Sequence, residues 1–462
     1  MRFIGNLDCE LKDVSKDFTL EPFAKDFQPV IEETLRHHKK LPQRKSPLSP
    51  LLTVWLVLCL PLRRDLSYPN VLSWLLSGLR RRFPGLSRKP LADGAITHAR
   101  ARIGKEVFRD LFFATARKAA TVAADFHGLV SVIIDGSLLT APDTPQNALE
   151  WGKPTASKYR GTAGFPQLRL VALLSAGCHS ILDAVIGPSR GTGTGEVTVT
   201  RQLIERNARE GLLFLFDRGF WCFDLLDEIL QRGAHFLIRV PSHAKLSPIQ
   251  GSRQKDGSFL ARMRDGKKKA GHTVRVVRYQ FPGFRSCRIV TSLLDETISA
   301  MDLVRHYHVR WEIELAYAAI KVRQCARRTG QCPTVLRSKR PDFAEQEVYA
   351  LLTMYNLVRS LIKEAATAHH GGDALAISFV DALRAILEAI PAMRGARAEL
   401  LPDLYQVLLR DVAECVLDRR RRPRVYRRAV KVQRSKFPLK RWNDREIRRD
   451  FEAEVRIQRA TA

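Results

Sequence analysis

The stretch LVRHYHVRWEIELAYAAIKVR, Leu303 to Arg323, decides how the rest of the chain is read. It has helical periodicity. With Tyr307 at zero and ~100° per residue, Arg310, Glu314 and Lys321 all fall within roughly 60° of it. One face therefore carries a phenol, a guanidinium, a carboxylate and an ammonium, while Ile313 and Ile320 point elsewhere. A stripe of mixed charge is in general a solvated face with a few ion pairs. Here it gains meaning from two aspartates upstream, each at the end of an apolar, strand-like run.

The first run is Val130-Ser-Val-Ile-Ile, ending at Asp135-Gly136, and the second is Leu212-Leu-Phe-Leu-Phe, ending at Asp217-Arg218-Gly219. Between them, Leu168 to Leu174 and Ile181 to Gly187 read as strands, and Glu196 to Arg206 as a helix. A helix from Cys222 to Gln231 and a strand from His235 to Val240 follow. The order β-β-β-α-β-α-β predicts a mixed α/β sheet flanked by helices. A carboxylate just past a strand end sits at a sheet edge, where clefts form. If the two strands are neighbours, Asp135 and Asp217 converge and Glu314 can complete the cluster. Three carboxylates without a cation repel one another. Mg²⁺ or Mn²⁺, hard ions that prefer oxygen ligands, remove that cost. Two such ions about 4 Å apart suit phosphodiester chemistry. Arg310 and Lys321 would grip phosphates beside them, and Tyr307 would position a phosphate or base.

Each assignment has a plainer counterpart. Asp-Gly and Asp-Arg-Gly are common turn sequences. Asp143, Asp183, Glu196 and Asp224 are rival carboxylates. The Gly191-Thr-Gly-Thr-Gly195 run lacks the Gly-Lys-Ser/Thr ending of a phosphate-binding loop. His306 and His308 have no partner at metal-ligand spacing and read as surface or phosphate-contacting groups rather than zinc ligands.

Farther out, residues 21–126 are helical in pattern. Leu51 to Leu62 is an apolar run with Thr53 and Pro61, read as a buried helix. Ser67 precedes a helix with Pro69 in its first turn. Asp93 is placed to cap a helix with Ile96, Ala99 and Ile103 on one side and Arg100 and Arg102 on the other. That segment reads as a DNA-binding module, with Arg100 and Arg102 as its DNA contacts, or as a helical subdomain whose arginines merely solubilise it. Residues 127–240 form the first part of the core, 241–300 a β-rich insertion, and 301–365 the second part with the glutamate helix. Residues 366–462 form C-terminal helices and a basic tail, which carries no acid from Arg419 to Arg441.

Lys plus Arg number 77 against 48 acids, a net charge of +29 in 462 residues. Such a surplus points to a polyanionic partner, most plausibly nucleic acid, with an anionic membrane surface as the competitor. No run reaches the ~18 apolar residues of a membrane span. The eight cysteines form no CxxC pair. Together with a start, MRFIGNLDCELKD, that lacks an apolar core, they fit reduced thiols in a cytoplasmic protein.

Tyr307-x2-Arg310-x3-Glu314-x6-Lys321 resembles the signature of the IS4 family of DDE transposases. Asp135-Gly and Asp217-Arg-Gly-Phe220 resemble its two aspartate motifs. The segment with Trp55, Ser67-Tyr68 and Ala99-Arg100-x-Arg102 is similar to its N-terminal domain. The resemblance implies an RNase H-like core interrupted by a β-insertion and preceded by a helical DNA-binding domain. It implies a catalytic and metal-binding triad of Asp135, Asp217 and Glu314 with two Mg²⁺ ions. It also implies cutting at the terminal repeats of an insertion sequence and joining to target DNA. By the same analogy the partner is double-stranded DNA, the assembly on it a homodimer, and the setting the nucleoid. Some members pass through a DNA hairpin aided by aromatics of the insertion, which here holds Tyr279, Phe281 and Phe284 but no tryptophan. Two other functions fit part of the pattern: an RNase H-like nuclease without strand transfer, and an inactive DNA-binding descendant.

Overall fold

The computed structural model describes residues 18–41, 46–83, 86, 91–119, 123–154, 164–264, 271–282, 284–324, 336–369, 371–417 and 456–458. The Lys267–Lys269 run and the tail from Arg419 to Arg441 lie outside the described residues. In chain order, helices α1 (Ala24–His37), α2 (Pro50–Cys59), α3 (Tyr68–Ser77), α4 (Leu79–Arg82), α5 (Asp93–Ile103) and α6 (Lys105–Ala119) come first. Strand β1 (Val130–Thr140), helix α7 (Pro145–Trp151) and strands β2 (Gln167–Ser175) and β3 (Ile181–Pro188) follow. Then come α8 (Glu196–Asn207), β4 (Leu212–Phe216), α9 (Phe223–Gln231) and β5 (His235–Arg239). The inserted segment forms β6 (Leu246–Arg253), β7 (Phe259–Arg264), β8 (Gly271–Gln280) and β9 (Cys287–Thr291). Helices α10 (Ala300–Val309) and α11 (Glu312–Ala318), a π-helical stretch Ala319–Arg323, and helices α12 (Pro341–His369), α13 (Phe379–Gly395) and α14 (Leu401–Glu414) complete the order. Strand β10 (Arg456–Gln458) comes last.

The chain folds as two compact units. The first takes its residues from 1–122, 136–195 and 314–417, the second from 123–135, 196–313 and 418–462. Strand β1 and helix α11 each run across this division. It follows contacts and differs in kind from the segments read along the sequence.

In the first unit, α12 is the central element. Most of its 29 residues are buried, the mark of a helix packed on all sides. It packs along α6, α14 and α2. The Asn356 side chain on α12 replaces a strand partner at β3. Its Oδ1 accepts from Ile181 N–H at 2.9 Å, and its Nδ2 donates to Ile181 C=O at 2.9 Å. Helix α2 is buried at every position from Leu51 to Cys59, with Ser49 accepting from Leu52 N–H as its cap. Ser67 caps α3 through Asn70 N–H, with a proline in the first turn. Asp93 does not cap α5. It is the first helical residue, and Ala92, with no capping side chain, precedes it.

In the second unit the sheet order is β1-β4-β5-β9-β8-β7-β6, with β10 antiparallel on β8. Strands β1, β4 and β5 are parallel. All five residues of β4 are buried, as expected of a parallel strand covered on both faces. Two features depart from the sequence reading. β1 does not end at Asp135 but continues to Thr140. The helix over Leu303–Arg323 is interrupted at Arg310–Trp311, where Arg310 N–H and Trp311 N–H bond back three residues to Tyr307 and His308. It then widens into the π stretch, closed by Gln324 N–H to Ala319 C=O, five residues back, at 2.7 Å.

Candidate active site

The parallel register builds the site. Ile133 on β1 pairs with Leu215 on β4. Two residues farther along, Asp135, still on β1, and Asp217, one residue past the end of β4, continue this register on neighbouring strands, which run about 4.8 Å apart. Phe216 pairs with Ile238 on β5, so the next residue along, Arg239, takes the matching place beside Asp217. Side chains two residues apart share a face, so Asp135 and Asp217 lie on the face that Ser131 presents. Asp135 is not a turn residue, whereas Asp217 opens a turn through its carbonyl, which accepts from Phe220 N–H at 3.1 Å. The chain continues as strand through Asp135, and Asp217 precedes a short 3₁₀ turn without capping it through its side chain.

Helix α10 lies over this face. His306 packs its ring against Phe126, centroids 3.9 Å apart, and its Nε2 is 2.6 Å from Ser131 Oγ. One turn on, Arg310 Nη1 is 3.5 Å from Asp135 Oδ2. The Asp135 side chain is 22% exposed and that of Arg310 11%, so solvent screens this pair only partly. Tyr307 is buried. Burial pushes its hydroxyl up to about 12; Arg310 and Arg239 pull it down and Asp217 pushes it up. The phenol thus stands among the two arginines and the second aspartate. His308 is driven down to about 4, by burial first and then by Arg310 and Arg239. His306 falls to about 4 chiefly through burial. Both rings are neutral at pH 7, and His306 serves packing and a hydrogen bond, not the phosphate contact expected of it. His308 faces the aromatics of the insertion, its ring 5.7 Å from Phe281 and 6.0 Å from Tyr279.

Within the first unit, Glu314 is half-buried in α11. Lys321 donates from Nζ to Ser137 Oγ at 2.9 Å, and burial lowers its pKa. Ser137 follows Asp135 by two residues on β1. Three of the four rival carboxylates are engaged elsewhere: Asp143 pairs with Lys153 at 2.6 Å, Asp224 with Arg201 at 3.4 Å, and Asp183 is buried and accepts from Ala184 N–H. Among the described residues, the group of His, Asp or Glu whose ligand atoms all lie within 4.8 Å is His37, His38 and Asp110, far from the signature in sequence.

A family model described as "Transposase DDE domain" matches residues 127–357, half of the chain, including both aspartates and the whole signature helix. A second, "Insertion element 4 transposase N-terminal", matches residues 19–113.

The chain belongs to the IS4 family of DDE transposases.

The transposase is 28% identical over 410 residues to "Transposase InsG for insertion sequence element IS4" of Escherichia coli strain K12, covering 86% of this chain and 88% of the relative. A cryo-EM structure of a piggyBac transposase synaptic complex with hairpin DNA matches 83% of this chain and 81% of that one, at 12% identity and a TM-score of 0.42. The transposase is a DNA-binding enzyme of metal-dependent DNA cleavage and strand transfer. No helix of its described residues is long and apolar enough to cross a membrane.

Two arginines of the transposase need separate treatment. Arg100 is 2% exposed. Its guanidinium donates to Gln346 Oε1, Tyr68 Oη, Ser338 Oγ and Phe343 C=O and lies over the Phe343 ring. A group so enclosed joins α5 to α12 and has no face left for a phosphate, which corrects its expected role in DNA binding. Arg102, two residues on, is exposed. Sequence reasoning missed Arg239. Its signal was the parallel between Leu212-Leu-Phe-Leu-Phe-Asp217 and His235-Phe-Leu-Ile-Arg239, two apolar strands each ending in a charge.

Proposed function

We propose that Asp135, Asp217 and Glu314 are the catalytic triad of the transposase and hold two divalent ions, Mg²⁺ or Mn²⁺. The observation that carries this reading is the matched placement of Asp135 and Asp217 on adjacent parallel strands, with Arg310 against Asp135. Glu314 is assigned by its place in the signature. The donor set fits the ions: carboxylate oxygens, half-exposed, with no sulfur or neutral imidazole among them. When bound, the ions supply an activated water or 3′-hydroxyl and charge for the leaving oxygen. Arg310 holds Asp135 in its rotamer until DNA arrives, then turns its guanidinium to a phosphate. Tyr307, protonated through any physiological pH, offers its O–H to a phosphate or base at the site. Lys321 provides a second phosphate contact, and Arg239 a third beside Asp217. Arg102 contacts the DNA backbone away from the chemistry.

The substrates in this reading are the terminal repeats of the element and then target DNA, engaged by a homodimer at the nucleoid. The test is a cleavage and joining assay on DNA bearing the element's own ends, with Mg²⁺, Mn²⁺ or EDTA and with Glu314→Gln alongside. Metal-dependent cutting and joined product, both lost in the variant, is the expected result. Cutting without joining supports the nuclease instead, and binding without chemistry under any metal supports an inactive descendant. Full activity of Glu314→Gln removes Glu314 from the triad.

A further inference from the structure

The β-insertion contains a buried guanidinium that the chemistry above does not use. Arg275 on β8 is fully buried, and all three of its nitrogens are engaged. Nε donates to Ser258 Oγ at 2.9 Å. Nη1 donates to the carbonyls of Asp295 and Ile298 at 2.8 and 2.7 Å. Nη2 pairs with Asp256 Oδ2. Asp256 sits in the turn between β6 and β7, where its Oδ1 accepts from Ser258 N–H at 3.0 Å and from Ser258 Oγ at 2.6 Å. Its Oδ2 also accepts from Ala300 N–H at 2.7 Å. Ala300 is the first residue of α10, whose own cap, Ser299, accepts from Asp302 N–H at 3.1 Å.

The consequence is specific. The loop from Asp295 to Ile298 is gripped by Arg275 on β8, and the first N–H of α10 by Asp256 in the β6–β7 turn, 44 residues upstream. A carboxylate at a helix N-terminus satisfies an orphan donor and complements the helix dipole. At 1.5 Å per residue, Tyr307 and Arg310 lie roughly 10 and 15 Å along the same helix, so a tilt at Ala300 displaces both. The guanidinium of this pair is fully buried and its carboxylate a quarter exposed; the best-attested use of such an enclosed ion pair is to fix register.

We propose that Asp256 and Arg275 are positioning residues for transposition, fixing the N-terminus of α10 to the β-insertion so that Tyr307 and Arg310 meet the aspartates in register. The proposal rests on the active-site reading above.

The test uses the full-length transposase and its Asp256→Ala and Arg275→Met variants. Single-turnover cleavage of end DNA, DNA affinity, thermal midpoint and amide exchange along residues 300–310 are measured together. We expect cleavage to slow tenfold or more in both variants, with DNA affinity within twofold of the parent. Exchange should quicken in α10 but not in α8 or α9. Arg275→Met leaves Ser258 Oγ, the Asp256 carboxylate and two carbonyls without their donor, so its thermal midpoint should fall; compared at a temperature where parent and variant are both fully folded, its cleavage should still be slow. Cleavage within twofold of the parent, affinity lost in step with rate, or unchanged exchange in α10 would each overturn the proposal. A parent protein that cuts no DNA would count against the active-site reading alone, because exchange in α10 decides the clamp without any cleavage.

Discussion

Arg100 and Arg102 stand two positions apart on α5 and differ in everything that matters for function. Both read as basic residues on an outer face, because a helical wheel reports angle and not what lies beyond it. Arg100 falls toward α12, where Gln346, Ser338 and the Phe343 carbonyl use its donors. Arg100→Met should cost roughly 2–4 kcal/mol, since it leaves buried acceptors unsatisfied, and urea unfolding will measure it. Arg102→Gln should leave stability within about 0.5 kcal/mol. It should also lower the slope of log affinity against log salt by about 0.9, the loss of one phosphate contact. A stability loss in Arg102→Gln, or a salt slope unchanged from the parent, would place Arg102 off the DNA. Beside the aspartates, Arg239→Gln should slow end cleavage by roughly 10–100-fold, the usual scale for one electrostatic contact in a site, with little change in unfolding.

At the level of elements, α10 carries two imidazoles held neutral by burial, and this has a thermodynamic sign. The folded-state value of His306 is about 4 against an ordinary 6.5. The unfolded chain therefore binds the extra proton first as pH falls. Stability is complete above pH 6.5 and declines as pH drops toward 4, by about 2 kcal/mol per such histidine at pH 5. Urea unfolding at pH 7.5 and 5.0 should show the decline, and His306→Gln should reduce it. An equal decline in that variant would assign it to other groups. These elements also show what the sequence made legible. Strong periodic signals survived: the apolar α2, the parallel core strands, and both aspartates of the second unit with Tyr307 and Arg310 near them. Weak ones did not. β6 has no alternation to read, since its Ser247, Pro248, Gln250 and Gly251 are all exposed. The break at Arg310–Trp311 has no proline or glycine to announce it. Arg239 had only the signal of an apolar strand ending in a charge; its place beside Asp217 needed the parallel register, because pairing is a tertiary fact.

At the scale of the whole molecule, the charge of +29 sets how the transposase meets DNA. Much of it lies between Arg419 and Arg441, a run without acids. Deleting everything after residue 418 would be a poor probe of that charge, because it also removes β10, whose Ile457 pairs with Tyr279 on β8. The cleaner variant replaces Arg419, Arg420, Arg421, Arg422 and Arg424 with Gln and leaves β10 in place. Each arginine that neutralises a phosphate contributes about 0.9 to the salt slope, so five such contacts predict a slope lower by up to about 4.5. Because this contribution does not depend on base sequence, affinity for end DNA and for unrelated duplex should fall together at 50 mM salt. The ratio between the two should stay near that of the parent. Affinity titrations on both duplexes across salt concentrations measure slope and ratio at once. A slope equal to the parent's would show that these arginines do not meet phosphate. A collapse of the ratio would mean that they read the element's ends.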